Sequence, residues 1–234
     1  MNAPPPVSVV LLDFYGTLAA ATEWAPRLGD VLRAHGAEAT TNATTLTGLD
    51  PVDGIDHAEH SADRDAYTAW ERARLAAVCD RFGIDGARRE AVVDELHAAI
   101  KTYTLELYDD VAPALAALRS RGLRLAICSN WDWDLPELVE RLGLADAVDV
   151  TVTSARAGAR KPHERIYAHT LELLGVSGTE AAFVGDSWEP DVVGPLAAGM
   201  RPFHLLRDPE GGAPPALPRG ASRIATLTEL LDHL

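Results

Sequence analysis

The sequence predicts an α/β protein with a doubly wound parallel sheet, a Rossmann-like core that carries an inserted helical domain. From residue 109 to the end, short apolar runs that fit strands alternate with amphipathic runs that fit helices, which is typical of β-α-β units. Between residues 19 and 108 only helical periodicity is visible. We therefore expect a core domain from residues 1–18 and 109–234 and an all-helical cap from residues 19–108.

The first strand is predicted at residues 7–14, with the sequence VSVVLLDF. Its nearly continuous β-branched and leucine side chains suit a parallel strand that is buried on both faces. In the insert, amphipathic helices are predicted at 21–36, 63–83 and 86–108, and no strand is predicted. The polar, threonine-rich stretch 37–61 is broken by glycine and proline and is predicted as a long loop.

The second part of the chain supplies the rest of the predicted sheet. In such a sheet, ligands bind beyond the carboxyl ends of the strands, which meet at one edge. Strands are predicted at 123–130, 147–154, 180–187 and 201–206, helices at 110–122, 134–144, 162–175 and 191–199, and a loop at 208–220.

The composition limits the partners that we expect. The 234 residues carry a formal net charge of −14, so polyanions are repelled at long range, and neither nucleic acid nor an anionic membrane is an expected partner. A small anionic substrate would need a cation or a metal ion at its site. The two distant cysteines, Cys79 and Cys128, give no disulfide framework. Without a signal-peptide pattern or an apolar run of membrane-spanning length, we expect a soluble cytoplasmic protein, as a monomer or homodimer.

Polar side chains that suit catalysis follow the predicted strands. Because the carboxyl ends of parallel strands meet at one edge of the sheet, we expect these side chains to share one crevice. They are Asp13 and Tyr15 after the first strand, Ser129 and Asn130 after the second, Lys161 at the helix after the third, and Asp186 and Asp191 after the fourth.

These residue types suit an anionic substrate. Asp13 and Asp186 supply the carboxylates that Mg²⁺ prefers. Lys161 is one of only two lysines among 21 basic residues, which indicates a specific use for its ammonium group beside the carboxylates. Ser129 and Asn130 can donate hydrogen bonds to a substrate oxygen.

Four short segments give the sequence a resemblance to a known family. They are DFYGTL at 13–18, ICSN at 127–130, RKPHERIY at 160–167 and FVGDSWEPD at 183–191. In this order and at these strand ends they resemble the four motifs of the haloacid dehalogenase-like (HAD) hydrolases. The helical insert resembles the type 1 cap of that superfamily, and the stretch 129–200 is similar to its phosphatase-like branch.

The resemblance implies that Asp13 is a nucleophile and becomes an aspartyl-phosphate during turnover. It also implies a Mg²⁺ cofactor held by Asp13, the backbone carbonyl of Tyr15, and Asp186. Asp191 would support these ligands or bind the ion through water.

The resemblance further implies how a small phosphorylated metabolite is bound. Ser129 would bind the phosphoryl oxygens, and Lys161 would pair with Asp13 and the phosphate. Asn130 matches an optional position beside the motif serine.

Tyr15 departs from the family pattern, because the phosphatases usually carry a general acid/base aspartate there. A free phenol has a pKa of about 10, so it can donate a proton but is a poor base near neutrality. Halide, sulfate or an acyl phosphate would leave without a proton. The haloacid dehalogenases of the family also have a tyrosine here, but they need no metal and keep no acid like Asp186.

Three functions therefore stay open. The first is Mg²⁺-dependent hydrolysis of a small phosphorylated metabolite through an aspartate nucleophile. The second keeps the nucleophile and changes the leaving group, as in haloacid dehalogenation or in loss of sulfate or phosphate within a biosynthetic pathway. The third is a scaffold that binds a partner or phospho-metabolite with little turnover, which ligand-induced stabilisation without product would reveal.

Several residues also have a structural explanation. Asp191 could cap its helix, and Tyr15 could be a packing residue. His57 and His60 suggest a metal site, but we expect them to be solvated loop residues. The tryptophans that follow the second and fourth motifs either line a substrate pocket or pack between cap and core.

Overall fold

The computed structural model describes residues 6–24, 26–49, 54–207 and 214–234. The chain divides into two units. The larger unit comprises the chain up to Ala20 together with Leu107–Leu234, and the smaller unit is Ala21–Glu106. The chain thus leaves the larger unit once, after its first strand, and returns to it once.

Eight strands are formed by the described residues. They are β1 (Val9–Leu12), β2 (Ala19–Trp24), β3 (Tyr103–Leu107), β4 (Arg124–Ser129), β5 (Val150–Thr153), β6 (Ala181–Gly185), β7 (Arg201–Leu205) and β8 (Ser222–Ile224). Six of them form one sheet in the order β5-β4-β1-β6-β7-β8, and all neighbours in it are parallel. This arrangement confirms the predicted doubly wound sheet.

The central strand, β1, is buried along its whole length, as its VVLL sequence predicts. The chain adds β4 and β5 on one side of β1 and then β6, β7 and β8 on the other. The strand order therefore reverses at β1. Ligands of open α/β sheets bind beyond the carboxyl ends of the strands at such a reversal.

The helices of the described residues belong to both units. They are α1 (Leu28–Ala34), α2 (Leu46–Leu49), α3 (Arg64–Arg81), α4 (Gly86–Ala99), α5 (Val111–Ser120), α6 (Leu135–Arg141), α7 (Ser154–Ala157), α8 (Glu164–Leu174) and α9 (Gly194–Ala197). Three short 3₁₀ helices cover Ala58–His60, Gly178–Glu180 and Leu227–Asp232, and a π-helix covers Glu189–Val193.

One apolar core of the larger unit lies between the sheet and α8. Val9 and Leu11 of β1 and Phe183 of β6 share a buried cluster with Ile166 and Tyr167 of α8. Full burial of an apolar side chain of this size contributes about 1.5–3 kcal/mol relative to exposure. This packing holds β1, the strand that directly precedes Asp13, in a fixed place.

The smaller unit has an apolar core of its own. Asp63 caps α3 by accepting a hydrogen bond from the N–H of Ala66 (2.8 Å), and the apolar face of α3 packs against α4. The buried side chains of this core are those of Leu28, Val31, Leu32, Ala37, Ala39, Leu46, Leu49, Leu75, Val78, Cys79, Ile84, Val92, Val93, Leu96 and Ala99.

The expectation that no strand lies between residues 19 and 108 is wrong at both ends of the insert. β2 and β3 form a two-stranded sheet where helices were predicted to begin at 21 and to end at 108. In β3, Leu105 is buried while its neighbours Thr104 and Glu106 are exposed, which is the two-residue alternation of a strand. Threonine and tyrosine in this segment favour a strand over continuation of α4.

The polar stretch 37–61 is also more ordered than the predicted loop. It contains α2, whose Leu46 and Leu49 belong to the buried core of the smaller unit. Residues 50–53 of this stretch lie outside the described residues, as do residue 25 of the predicted helix 21–36 and residues 208–213 of the predicted loop 208–220.

The C-terminal segment forms β8, the sixth strand of the sheet, and then a 3₁₀ helix. No helix within the described ranges is both long and apolar enough to cross a lipid bilayer.

Candidate active site

Asp13 stands at the carboxyl end of β1, at the reversal of the strand order. Its backbone N–H donates a hydrogen bond to the carbonyl of Val184 on β6 (2.8 Å). The turn that follows contains Gly16 with a φ of +83°, and a Cβ at this position would lie 2.4 Å from Oδ2 of Asp186. Glycine is therefore required here, both for the left-handed backbone and for the close approach of the Asp186 carboxylate.

Arg207, which follows β7, also holds this turn. Its Nη2 donates to the carbonyl of Thr17 (2.7 Å), and its two terminal nitrogens donate to the carboxylate of Asp110 (2.9 and 3.0 Å). Its guanidinium lies 3.9 Å from the ring centroid of Tyr108. A bidentate arginine–carboxylate pair fixes orientation as well as distance. Arg207 therefore positions the turn next to Asp13.

Lys161 joins two carboxylates in the interior of the site. Its Nζ donates to Oδ1 of Asp13 (2.7 Å) and to Oδ1 of Asp191 (2.6 Å), and all three residues are buried. Burial alone would lower the pKa of Lys161, but the charges of Asp13 and Asp191 outweigh it and raise that pKa. The ring of Phe183 lies 5.0 Å from the ammonium nitrogen. Lys161 is therefore a permanent cation beside Asp13.

Ser129, the last residue of β4, contacts the same oxygen of Asp13. Its hydroxyl donates to Oδ1 of Asp13 at 2.9 Å. Two donors, Ser129 and Lys161, thus converge on one carboxylate oxygen. Donors that hold a carboxylate from two directions restrict its rotation.

Asn130 uses both ends of its side-chain amide on the backbone of Lys161. Its Oδ1 accepts from the N–H of Lys161 (2.6 Å), and its Nδ2 donates to the carbonyl of Lys161 (3.0 Å). The end of β4, which delivers Ser129, is thereby connected to the loop that delivers Lys161.

Asp191 lies in the π-helix after β6. Its Oδ1 accepts from Lys161, and its Oδ2 accepts from the backbone N–H of Ser187 (2.9 Å). A Cβ at Gly185 would lie 2.3 Å from the Asp191 carboxyl carbon, so the glycine makes room for this carboxylate. Burial raises the pKa of Asp191 and Lys161 opposes that rise. The N-cap of this helix is Trp188, with no side-chain cap hydrogen bond, so Asp191 does not act as the helix cap.

Asp186 keeps solvent-exposed surface, unlike the other two acids. Desolvation of its covered side, followed by the negative charge of Asp13, raises its pKa to about 6. Its backbone carbonyl lies 3.1 Å from Nε2 of His204, and Nε of Arg223 donates to Nδ1 of the same imidazole (3.3 Å). Because Nδ1 accepts, the hydrogen of His204 is on Nε2, and burial lowers the pKa of this neutral ring.

Three acids together can accommodate a metal ion. One oxygen each from Asp13, Asp186 and Asp191 lies within 4.8 Å of the others. The single ammonium of Lys161 leaves these three carboxylates with an excess of negative charge, and that excess contributes to the raised pKa of Asp186. Carboxylate oxygens with uncompensated charge fit a hard divalent cation such as Mg²⁺.

Comparison with known proteins decides the family. A sequence profile for the haloacid dehalogenase-like hydrolases matches residues 7–199 of the chain. The chain belongs to the haloacid dehalogenase-like hydrolases.

Individual relatives carry several names. The human haloacid dehalogenase-like hydrolase domain-containing protein 3 is 32% identical over 156 residues, which are 67% of this chain and 61% of that protein. The phosphoserine phosphatase of Thermus thermophilus is 36% identical over 129 residues, which are 53% of this chain and 52% of that enzyme. The matches thus span about half to three-fifths of the length of these relatives.

A solved structure supports the fold. A 2-haloacid dehalogenase from Pseudomonas syringae pv. Tomato matches with a TM-score of 0.65 at 24% identity, covering 97% of each chain. At 24% identity this similarity shows that the two chains share a fold, and it carries no information about activity.

In this haloacid dehalogenase-like hydrolase, Tyr15 is 39% exposed. Its ring centroid lies 6.4 Å from that of Trp131, which stands two residues after the end of β4. The ring of Trp131 in turn makes an edge-to-face contact with buried Phe14 (5.3 Å). The roles of Tyr15 as acid/base and of its carbonyl as a metal ligand stay predictions.

Sequence reasoning missed several residues of this site. His204 is the next-to-last residue of β7 and lies in the predicted strand RPFHLL. Ser129 was identified as a polar residue at the end of a predicted strand, and the same reasoning would have identified His204. Gly16 and Gly185 lie within the quoted motifs. A glycine beside catalytic residues often indicates that a side chain approaches the backbone closely, and this signal could have identified both. Arg207 has no local signal, because its partner Asp110 lies far away in the sequence.

His57 and His60 lie outside this site, in the smaller unit. Their rings stack on Trp70 with centroids 4.6 and 5.6 Å away, and the guanidinium of Arg74 lies 4.7 Å from the same ring. His57 is buried, so the expectation of a solvated loop residue is wrong for it. Among the described residues, the group found to fit a metal ion is the acid trio of Asp13, Asp186 and Asp191.

Proposed function

We propose that this chain is a Mg²⁺-dependent phosphatase that acts on a small phosphorylated metabolite through Asp13. The main support is the buried Lys161, which bridges Asp13 and Asp191 while Asp186 lies beside them. Hydrolysis of a carbon–halide bond needs no metal and gains nothing from three clustered acids. A phosphoryl group needs compensation for its own negative charge, and this cluster can bind the cation that provides it.

Asp13 begins the proposed reaction. Ser129 and Lys161 hold its carboxylate, so its attack on phosphorus requires little further ordering. The ammonium of Lys161 stabilises negative charge on the phosphoryl oxygens as the bond to the leaving group breaks. Water then attacks the phosphorus of the phospho-aspartate, which releases phosphate and restores the carboxylate.

The metal site in this proposal uses residues from β1 and β6. Asp13, Asp186 and the backbone carbonyl of Tyr15 would hold Mg²⁺, with Asp191 in support. When bound, the ion supplies positive charge toward the phosphoryl oxygens. Asn130 acts by fixing the backbone of Lys161, beside its predicted contact with substrate.

We further propose that the two units divide the work. The core predicted at residues 1–18 and 109–234 performs the chemistry, and the insert predicted at 19–108 acts as a cap that selects the substrate. The cytoplasmic location and the monomeric or dimeric state stay predictions.

A second candidate keeps Asp13 as nucleophile and changes the leaving group to halide. Tyr15 is the observation that favours it, because a phenol is a poor base near neutrality. A third candidate is a scaffold that binds a phospho-metabolite with little turnover.

The deciding experiment measures phosphate and halide release from phosphate esters, acyl phosphates and haloacids. Each substrate is incubated with Mg²⁺ and with a chelator, using the wild type, Asp13→Asn and the exposed control Asp109→Asn. We expect phosphate release that requires Mg²⁺, disappears in Asp13→Asn and persists in Asp109→Asn. Halide release without metal would replace the phosphatase proposal with the dehalogenase. Ligand-induced stabilisation without any product would favour the scaffold.

A further inference from the structure

Two aromatic rings stand beside the nucleophile in the larger unit. Tyr15 is two residues from Asp13, and Trp131 is two residues from Ser129, whose hydroxyl contacts the Asp13 carboxylate. The ring centroids of Tyr15 and Trp131 are 6.4 Å apart and their planes are inclined by 32°. Tyr15 is 39% exposed and Trp131 is half-buried, so together they form an aromatic surface at the site.

Trp131 is held in place on several sides. Its ring meets that of buried Phe14 edge to face, with an interplanar angle of 84°. The backbone N–H of Trp131 donates to the carbonyl of Ser129 (3.0 Å). The backbone carbonyl of Trp131 accepts from the N–H of Ala155 (3.2 Å) and from the hydroxyl of Ser154 (3.0 Å). A ring fixed in this way loses little freedom when a ligand packs on it, which favours binding.

The chemistry of Tyr15 points to the same kind of ligand. Without a carboxyl at this position, a leaving group that needs no protonation is favoured. A phenolate leaves more readily than an alkoxide, because the phenol is the stronger acid. Aromatic rings also pack on other aromatic rings with an attraction beyond that of their buried area.

We propose that the substrate is a phosphate monoester of a phenol whose planar leaving group packs on Tyr15 and Trp131. This inference rests on the proposed phosphatase function and specifies its substrate class. An oxygen of Asp13 forms a bond to phosphorus while the phosphorus–aryloxide bond breaks, and its electron pair leaves on the aryloxide, which takes a proton from solvent. Water then bonds to phosphorus, the bond to Asp13 breaks with its electron pair returning to the carboxylate, and the water proton goes to solvent.

The test compares four substrates by kcat/KM. Phenyl and 2-naphthyl phosphate have leaving groups of similar acidity but different planar area. Cyclohexyl phosphate has a non-planar, poorly leaving alcohol, and acetyl phosphate has a small, good leaving group. The variants are Trp131→Leu, Trp131→Phe and the control Trp133→Leu, whose ring instead packs with the guanidinium of Arg156 (5.3 Å).

We expect the wild type to prefer 2-naphthyl over phenyl phosphate, and phenyl over cyclohexyl phosphate. Trp131→Leu should lower the ratio of 2-naphthyl to acetyl phosphate turnover by about three- to tenfold. Trp131→Phe should retain most of that ratio, and Trp133→Leu should retain all of it.

Two results would overturn the inference and leave the phosphatase intact. One is Mg²⁺- and Asp13-dependent hydrolysis of acetyl phosphate with no preference for 2-naphthyl over phenyl phosphate. The other is an unchanged ratio in Trp131→Leu. If Trp131→Leu fails to fold, the wild-type preferences and Trp131→Phe still decide. Absence of hydrolysis with all four substrates would instead count against the phosphatase proposal itself.

Discussion

The side-chain amide of Asn130 hydrogen-bonds to both backbone polar groups of Lys161. Its Oδ1 lies 2.6 Å from the Lys161 nitrogen, and its Nδ2 lies 3.0 Å from the Lys161 oxygen. An amide is suited to this, since one end accepts and the other donates. The backbone of the only lysine in the site is thereby fixed from the strand that carries Ser129. The position of the ammonium, and so of its contacts with Asp13 and Asp191, depends on this pair of hydrogen bonds.

Replacement of Asn130 should therefore displace Lys161 in a protein that still folds. Asn130→Ala removes both hydrogen bonds, and Asn130→Asp keeps the acceptor but loses the donor. We expect each to lower the free energy of unfolding by about 1–3 kcal/mol. We expect kcat to fall by as much as about a hundredfold through displacement of the ammonium group.

Urea unfolding and phosphate release measure these two effects. The control is Asn42→Ala, which removes an exposed hydrogen bond to Arg33 in the smaller unit. A folded Asn130→Ala protein with wild-type kcat would show that the amide does not position Lys161.

Removal of the Lys161 charge should be costly because its partners are buried. Lys161→Met leaves Asp13 and Asp191 without a cation, and breaking a buried pair in this way destabilises by about 3–5 kcal/mol. Adding Asp191→Asn to Lys161→Met should restore part of that stability, since one uncompensated carboxylate disappears, while activity stays absent. Urea unfolding of the wild type, both single variants and the double variant gives the coupling energy. Strict additivity of the two changes would contradict the ion pair seen here.

The convergence of Asp13, Ser129, Lys161 and Asp191 was predictable from a general property of parallel sheets. Each residue follows a strand with a strong apolar pattern, and carboxyl ends of parallel strands meet at one edge. The pairing of Lys161 with Asp13 followed from the family resemblance, but the other contacts were not predictable. Asn130 pairs with the backbone of Lys161 across many residues of sequence, and no periodicity encodes a contact of that kind.

The insert shows where pattern reasoning is weakest. The amphipathic periodicity of α4 was extended to residue 108, although the YTLEL segment of β3 alternates buried and exposed side chains. When a short strand directly follows a strongly periodic helix, pattern reasoning tends to extend the helix over the residues of the strand. Likewise, α2 is a single helical turn in a threonine-rich stretch. Its local sequence has little preference for a helix, and the turn is stabilised by tertiary packing, which buries Leu46 and Leu49.

The acid cluster should make stability depend on pH and on Mg²⁺ together. The pKa of Asp186 is raised to about 6, mainly by desolvation and then by Asp13, and that of Asp191 is raised by burial. An unfolded aspartate titrates at about 3.9. The folded chain therefore binds these protons more tightly, so this contribution to stability is present below about pH 4 and is lost as pH rises through about 6.

Mg²⁺ competes with those protons for the same carboxylates. We expect the metal to raise Tm little at pH 5 and clearly more at pH 7.5, and we expect Asp186→Asn to reduce the Mg²⁺ effect at pH 7.5. Burial acts to raise the pKa of Asp149, but the hydrogen bonds from Arg119 and from the backbone N–H of Leu125, together with the positive charge of Arg119, outweigh burial and lower that pKa. The contribution of Asp149 to stability is therefore lost only below this pH window. Thermal unfolding with and without Mg²⁺ at both pH values measures the effect. An equal metal-induced shift at pH 5 and pH 7.5 would argue against binding at these acids.

His204 should set the affinity of the metal site without touching substrate. Its Nε2–H contacts the carbonyl of Asp186, and Arg223 contacts its other ring nitrogen, so the imidazole fixes the backbone from which the Asp186 carboxylate extends. Loss of such a supporting group typically lowers metal affinity by about 10- to 100-fold. We expect this loss in His204→Ala and a smaller one in His204→Gln, which retains an N–H donor.

Titration of Mg²⁺ against Tm and against kcat measures that affinity in two independent ways. His169→Ala on α8 serves as the matched histidine control. If His204→Ala binds Mg²⁺ as tightly as the wild type, the hydrogen bond to Asp186 has no bearing on the metal.

Tyr15→Asp tests whether the phenol limits the reaction. A carboxyl at this position can protonate an alkoxide leaving group and then, as carboxylate, activate the water that attacks the phospho-enzyme. We expect hydrolysis of alkyl phosphates to rise by about a hundredfold, within the range typical of general acid–base catalysis, and the preference for aryl over alkyl esters to shrink. Tyr15→Phe separates ring from hydroxyl, because a fall in its turnover of alkyl esters would show that the phenol already donates a proton. An unchanged or lower rate in a folded Tyr15→Asp protein would mean that proton transfer at residue 15 is not what limits turnover, and the exposed ring would then act through packing alone.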